Sequence, residues 1–182
     1  PTRRSVMTIN TGVLAMAEAR YGRVDQAHKL VRKLVDSLPY AMPGGLSEAL
    51  PDQWCFLQLW SALGLVSPVV EGLLGVAPEA GSRRLRVTPH LPSTWEHAGL
   101  RQLRVGDATF DIDVRWGERT RRVRVNGPED YTLTAGCHAP AGAQVTAVTL
   151  NGAPAAWRWE QTNAGSYVVC EGRGNIEAVV EF

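Results

Sequence analysis

The sequence lacks a cysteine framework. Its three cysteines, Cys55, Cys137 and Cys170, are odd in number, widely spaced and without a Cys-x-x-Cys pair, so neither a disulfide scaffold nor a zinc knuckle is expected, and reduced thiols in a cytoplasm are the simplest reading. Charge of one sign is not in excess either. Nineteen Lys+Arg against eighteen Asp+Glu leave a net charge of +1, which supplies no field to gather nucleic acid or an anionic membrane surface. No apolar run is long enough to span a bilayer: the longest, from Trp54 to Val66, is interrupted by Gln58, Ser61 and Gly64. The histidines, His28, His90, His97 and His138, fall at no metal-ligand spacing with one another or with Cys137 and Cys170. No P-loop, Gly-x-Gly-x-x-Gly or Gly-x-Ser-x-Gly element is present. The expectation is therefore no metal, no cofactor, no nucleic-acid partner and no membrane. The first residues, Pro1-Thr-Arg-Arg4, lack an initiator Met and the apolar run of a signal peptide, and read as a cut end.

What is present is an ordinary globular composition, 45% hydrophobic and 20% charged, whose periodicity changes once along the chain. From Val6 to Tyr21, apolar residues at Val6, Ile9, Val13, Met16 or Ala17 and Tyr21 form one helical stripe, with Gly22 as the stop. A second helix is expected from about Arg23 to Leu38, with Ala27, Leu30, Val31, Leu34, Val35 and Leu38 inward and Pro39 ending it. A loop rich in proline and glycine runs to Pro51; Asp52 then reads as the N-cap of a helix from Gln53, apolar on nearly every side, and Ser67-Pro68 as the start of a short helix stopped by Gly75. Beyond Gly75 the period falls to two. About nine short strands, separated by turns such as Asn126-Gly127 and Asn151-Gly152, argue for an antiparallel sandwich. The fold class is thus α+β, with a helical part over 1–76 and a β-domain over 77–182.

Glu48, on the loop Gly44-Gly45-Leu46-Ser47-Glu48, can activate a water or hold a sugar hydroxyl while an indole of the next helix stacks on the ring. The plainer alternative is that Ser47 caps a helical turn and Glu48 occupies its first position. Asp52 is read as structural. Trp54, Gln58, Trp60 and Ser61 are candidates to line a pocket, although aromatics at helical spacing more often belong to a core; a buried Gln58 must find partners in backbone groups or a ligand. The basic run Arg119, Arg121, Arg122 and Arg124 alternates with Val123 and Val125 and reads as a solvated strand face.

Gly45-Leu46-Ser47-Glu48 followed by Cys55-Phe56-Leu57-Gln58-Leu59-Trp60-Ser61 resembles the C-terminal part of bacterial glycogen-debranching-type amylo-α-1,6-glucosidases, in which a Gly-x-x-Glu segment precedes a Cys-x-x-Gln-x-Trp-Ser helix. The similarity continues through Gly72-Leu-Leu-Gly75, Leu85-Arg-Val-Thr-Pro89-His-Leu-Pro92 and Val148-Thr-Leu-Asn151-Gly152. It departs at Pro51-Asp52-Gln53-Trp54, where the family often has glycine next to the cysteine. The resemblance implies that the helices are the last of an (α/α)6 barrel, that the tail is its accessory β-sandwich, and that Glu48 is the general base of an inverting glycoside hydrolase acting on α-glucosidic bonds of an oligosaccharide or polysaccharide. Trp54, Gln58 and Trp60 would then shape the sugar site. An inverting reaction needs a second carboxyl roughly 6.5–9.5 Å away as general acid, and in the family that acid lies on an earlier barrel helix, so this stretch alone is expected to be inactive. It is also expected to depend on a missing N-terminal part or to self-associate. Two alternatives stand beside this reading: an α-L-rhamnosidase-type barrel enzyme, which shares the tail pattern, and a noncatalytic carbohydrate-binding or structural module.

Overall fold

A computed structural model of the chain describes residues 5–40, 42–52 and 54–182. It separates into two compact units, one ending at Leu73 and one beginning at Leu74, helical and β respectively, which gives an α+β chain. Among the described residues no helix is long and apolar enough to cross a membrane.

In the helical unit a two-residue strand β1 (Val6–Met7) leads into α1 (Thr8–Arg20), and α2 (Val24–Ser37) follows after a turn in which Gly22 takes φ +74°. That left-handed turn is why a glycine stands there. Helix α2 keeps its expected inward face: Ala27, Leu30, Val31 and Leu34 are buried. Helix α1 does not. Of the stripe read from the sequence, Val6, Val13 and Tyr21 are exposed and Ile9, Met16 and Ala17 half-buried, while the fully buried face is Thr8, Gly12, Ala15 and Ala19. Small residues win because the helices cross closely: a Cβ at Gly12 would stand 2.2 Å from the Gly64 Cα. The core is a small cluster of Ala15, Leu30 and Val31 backed by Val35, Leu65 and Val69.

Strand β2 (Ala49–Leu50) pairs antiparallel with β1 through Val6↔Leu50 and Met7↔Ala49. The third helix, α3, spans Leu59–Ser67 and runs on as a π-helical segment over Pro68–Leu73. This corrects the expected start at Gln53, a residue outside those described. The Trp54 and Cys55 carbonyls both accept the Glu48 N–H, at 2.9 and 3.1 Å, and Cys55 takes φ +42°. Backbone so committed cannot coil, and the helix waits until Gln58, whose extended φ −114° and ψ 117° form the N-cap. Asp52 is accordingly no cap; its carboxylate accepts the Ser5 hydroxyl.

The β unit contains β3 (Val76–Glu79), β4 (Arg84–Val87), β5 (His97–Val105), β6 (Ala108–Trp116), β7 (Thr120–Asn126), β8 (Thr132–His138), β9 (Ala147–Leu150), β10 (Ala153–Pro154), β11 (Arg158–Thr162), β12 (Gly165–Arg173) and β13 (Ile176–Glu181). One sheet has the order β10-β9-β13-β7-β6-β5 and the other β11-β12-β8-β4-β3. They pack through β7, β8 and β13. Period two sets the layers: on β6 Ala108, Phe110, Ile112 and Val114 are buried, while Asp111, Asp113 and Arg115 lie between them on the outer face. The Tyr131 ring meets Phe110 edge-on at 4.9 Å, and its hydroxyl donates to the Val105 carbonyl at 3.1 Å. Every strand pair is antiparallel except β4 with β8, which run parallel through Leu85↔Leu133 and Val87↔Ala135, a departure from the purely antiparallel expectation. Arg121 departs from the expected solvated strand face. Two residues before Val123, it shares that residue's inward face, and its guanidinium lies 4.7 Å over the Trp116 ring; Arg122 and Arg124 do line the outer, charged face.

Candidate functional site

Glu48 lies in no helical turn. Residues 45–47 are irregular and β2 begins at Ala49, so the reading of Ser47 as a helix cap fails; the Ser47 hydroxyl instead donates to the Ala49 carbonyl at 3.3 Å. The backbone of Glu48 is held on both sides. Its C=O accepts the Thr8 N–H at the start of α1, at 3.0 Å, and its N–H is shared between Trp54 and Cys55. Gln58 N–H closes the same loop on the Leu46 carbonyl at 2.8 Å. The loop carrying Glu48 and the segment carrying Trp54 and Gln58 are therefore laced together through main-chain bonds. The Glu48 side chain is half-buried, and its carboxylate has no hydrogen-bond or ion-pair partner among the described residues. Three other acids of this unit are engaged: Glu18 with Arg23, Asp36 with Arg32 and Asp52 with Ser5.

Beneath Glu48 runs a buried polar chain that sequence spacing did not reveal. Thr8 Oγ1 lies 2.6 Å from the Ser47 carbonyl and 2.7 Å from Ser61 Oγ, which lies 2.7 Å from the end of the Gln58 amide. Two hydroxyl protons must serve three contacts, and the first of these ends on a carbonyl that cannot donate. Only an amide turned to present its NH2 to Ser61 supplies a proton for each contact, running from Gln58 to Ser61 to Thr8 to the Ser47 carbonyl. Gln58, 6% exposed, thus has one end of its amide engaged with Ser61 in the chain that leads to the turn before Glu48. Trp54 and Trp60 are exposed, at 58% and 59%. They stand on the surface of the helical unit with Phe56, Leu57, Leu59 and Leu63, also exposed.

The β unit brings together a second constellation. His90 and His138, distant in sequence, stack with ring centroids 3.6 Å apart, and the Trp116 ring lies near both at 6.1 and 6.0 Å. Burial, then the neighbouring charges of His90 and Arg121, depress the His138 imidazole to a pKa of about 3, so it is neutral at ordinary pH. Burial pushes the Cys137 thiol up to about 12, which removes it as a nucleophile. No group of three or more His, Cys, Asp or Glu side chains is placed to hold a metal ion among the described residues.

No protein-family model and no curated protein matches the sequence. Solved structures do match the fold. An α-L-rhamnosidase from Dictyoglumus thermophilum superposes with a TM-score of 0.67 at 15% identity, over 96% of this chain and 21% of that one. An α-L-rhamnosidase from Streptomyces avermitilis complexed with L-rhamnose does so with a TM-score of 0.53 at 16% identity, over 96% of this chain and 18% of that one. The chain therefore shares the fold of the corresponding part of these two α-L-rhamnosidases and spans about a fifth of their length.

Proposed function

We propose that this chain is part of an inverting glycoside hydrolase, with Glu48 as the general base. The observation that carries the reading is the contrast at Glu48 itself: a backbone fixed from both sides and from below, bearing a carboxylate that no described residue occupies. A general base needs a fixed position and a free lone pair aimed at a water. In this reading the helices through residue 76 are the last of an (α/α)6 barrel and 77–182 is its accessory sandwich. The general acid comes from the remainder of the barrel, and the stretch alone is inactive. Trp54 and Trp60 offer indole faces to the sugar, and Gln58 helps to shape its site.

For the substrate, the likeness to two α-L-rhamnosidases favours an α-L-rhamnoside. The second reading, an α-glucosidic bond of glycogen-type oligosaccharides, is supported by the Gly45-Leu-Ser-Glu48 and Gln58-Leu-Trp-Ser61 motifs. Hydrolysis of p-nitrophenyl α-L-rhamnoside and of maltooligosaccharides by the full-length protein, followed by proton NMR of the first-formed anomer, tests both. Inverted configuration is expected, and the substrate turned over selects between the readings. A retained anomer overturns the mechanism; no turnover of either favours a noncatalytic module.

A further inference from the structure

We propose that the β unit carries a saccharide-binding pocket of its own, at the edge of the five-stranded sheet, with Trp159 as its platform. The pocket, of about 420 Å3, lies between edge strand β11, the 162–165 turn into β12 and the loop over residues 139–143. Trp159 lines it and is 49% exposed; Trp157, 40% exposed, stands two residues away with its ring perpendicular to that of Trp159, centroids 5.7 Å apart. Two half-bare indoles, one on the edge strand and one just before it, are apolar surface that a solvated sheet edge does not need. The opposite wall, Ala139-Pro-Ala-Gly-Ala143, is made of small residues that leave the space open.

The polar groups around the indole select the ligand class. Glu160 is paired with Arg86 through both carboxylate oxygens, so its charge is compensated while lone pairs remain to accept hydroxyl protons. Gln161 accepts the Ser166 hydroxyl on Oε1 and places its Nε2 3.3 Å from the Thr162 carbonyl, which leaves an amide proton to donate. His138 reaches the pocket as a neutral imidazole. An aromatic face flanked by compensated or neutral donors and acceptors suits a neutral polyol ring, whose C–H face is apolar and whose rim is hydroxyl. An anion would find no uncompensated cation here. The inference does not rest on Glu48.

The test is 1H–15N NMR of the 182-residue chain titrated with L-rhamnose, with maltotriose and with an uncharged extended peptide. The expected result is saturable shifts of the Trp159 indole N–H and of the 139–143 amides with at least one sugar. Trp159→Ala should weaken that binding about tenfold or more, equivalent to roughly 1.4 kcal/mol, and Gln161→Ala should weaken it with the spectrum otherwise native. Glu48→Gln should leave it unchanged. The proposal is overturned by absence of saturable shifts with both sugars, by saturation with the peptide alone, or by loss of the shifts in Glu48→Gln. Should Trp159→Ala fail to fold, unchanged affinity in Gln161→Ala overturns it as well.

Discussion

The two units use apolar residues in opposite ways. In the β unit Phe110, Ile112, Val114, Val123, Val125 and Leu133 are all essentially inaccessible, so both inner sheet faces find their complement within the chain. In the helical unit Leu59 is 85% exposed, and Trp54, Phe56, Trp60 and Leu63 accompany it, while the buried face of α3 is Ser61 and Gly64. The sandwich covers its inner faces itself, with Trp157 and Trp159 at its edge left half bare. In the helical unit α2 buries Leu30, Val31 and Leu34, while α1 and α3 meet on small residues and the large side chains between Trp54 and Leu63 turn outward, an apolar patch of the kind that marks an interaction surface. The difference teaches that the β unit covers its inner sheet faces itself, whereas the helical unit leaves Trp54, Phe56, Leu59, Trp60 and Leu63 uncovered within this chain.

Truncating a core residue should separate the units most clearly. Phe110→Ala should cost about 3–5 kcal/mol, seen as a large drop in the urea midpoint of the β unit; a small drop would mean that its core is looser than its burial implies. In the helical unit the sensitive point is a glycine. Gly12→Ala drives a Cβ into the Gly64 backbone and should cost about 1–3 kcal/mol, a loss that a larger side chain at an ordinary helix position would not produce.

A pH series sharpens the contrast further. The folded imidazole of His138 is held at about 3 against an ordinary 6.5, so between these values the unfolded chain binds a proton that the folded chain does not. Stability from this group is intact above about 6.5 and falls as the pH drops toward about 3. His138→Phe keeps a ring in the stack without a titrating group and should flatten the dependence of the urea midpoint over that window. The smallest stability effect belongs to the outward apolar face. Leu59→Ser with Leu63→Ser should change stability by no more than about 0.5 kcal/mol per site, yet should reduce self-association of the chain in sedimentation velocity. A strictly monomeric parent chain would break the claim that this face needs a cover.

Much of the fold could be read from spacing. The β-strands from β4 onward announce themselves by alternation and turn dipeptides, since period two leaves little ambiguity once one face is buried. Two elements escape this: β3, Val76-Ala-Pro-Glu79, carries a proline and buries only its first residue, and β10 has two residues. Helix α2 was legible because its buried residues are large; α1 was misread because its buried face is Thr8, Gly12, Ala15 and Ala19, and hydropathy does not register that a small residue is buried to let another helix approach. The start of α3 was misplaced for a long-range reason: the Trp54 and Cys55 carbonyls are taken by the Glu48 N–H. Of the candidate site, Glu48 stood out by its loop and its motif. The chain through Thr8, Ser61 and Gln58 that fixes the turn before it joins residues far apart in sequence, and no local pattern encodes it. Trp157-Arg-Trp159 was visible as a strand, but β11 begins only at Arg158, and that it is an edge strand which leaves Trp159 half bare follows only from the sheet order.

The central claim is that a held backbone presents the Glu48 carboxylate to a water. Its most direct measurement is the turnover of Glu48→Gln in the full-length protein, beside its affinity for an unreacted substrate. The account predicts that turnover falls by about a hundredfold or more, the share commonly carried by a general base, with substrate affinity and the urea midpoint close to the parent's because the amide is nearly isosteric. Turnover within severalfold of the parent's, in a protein that folds and binds normally, would contradict it.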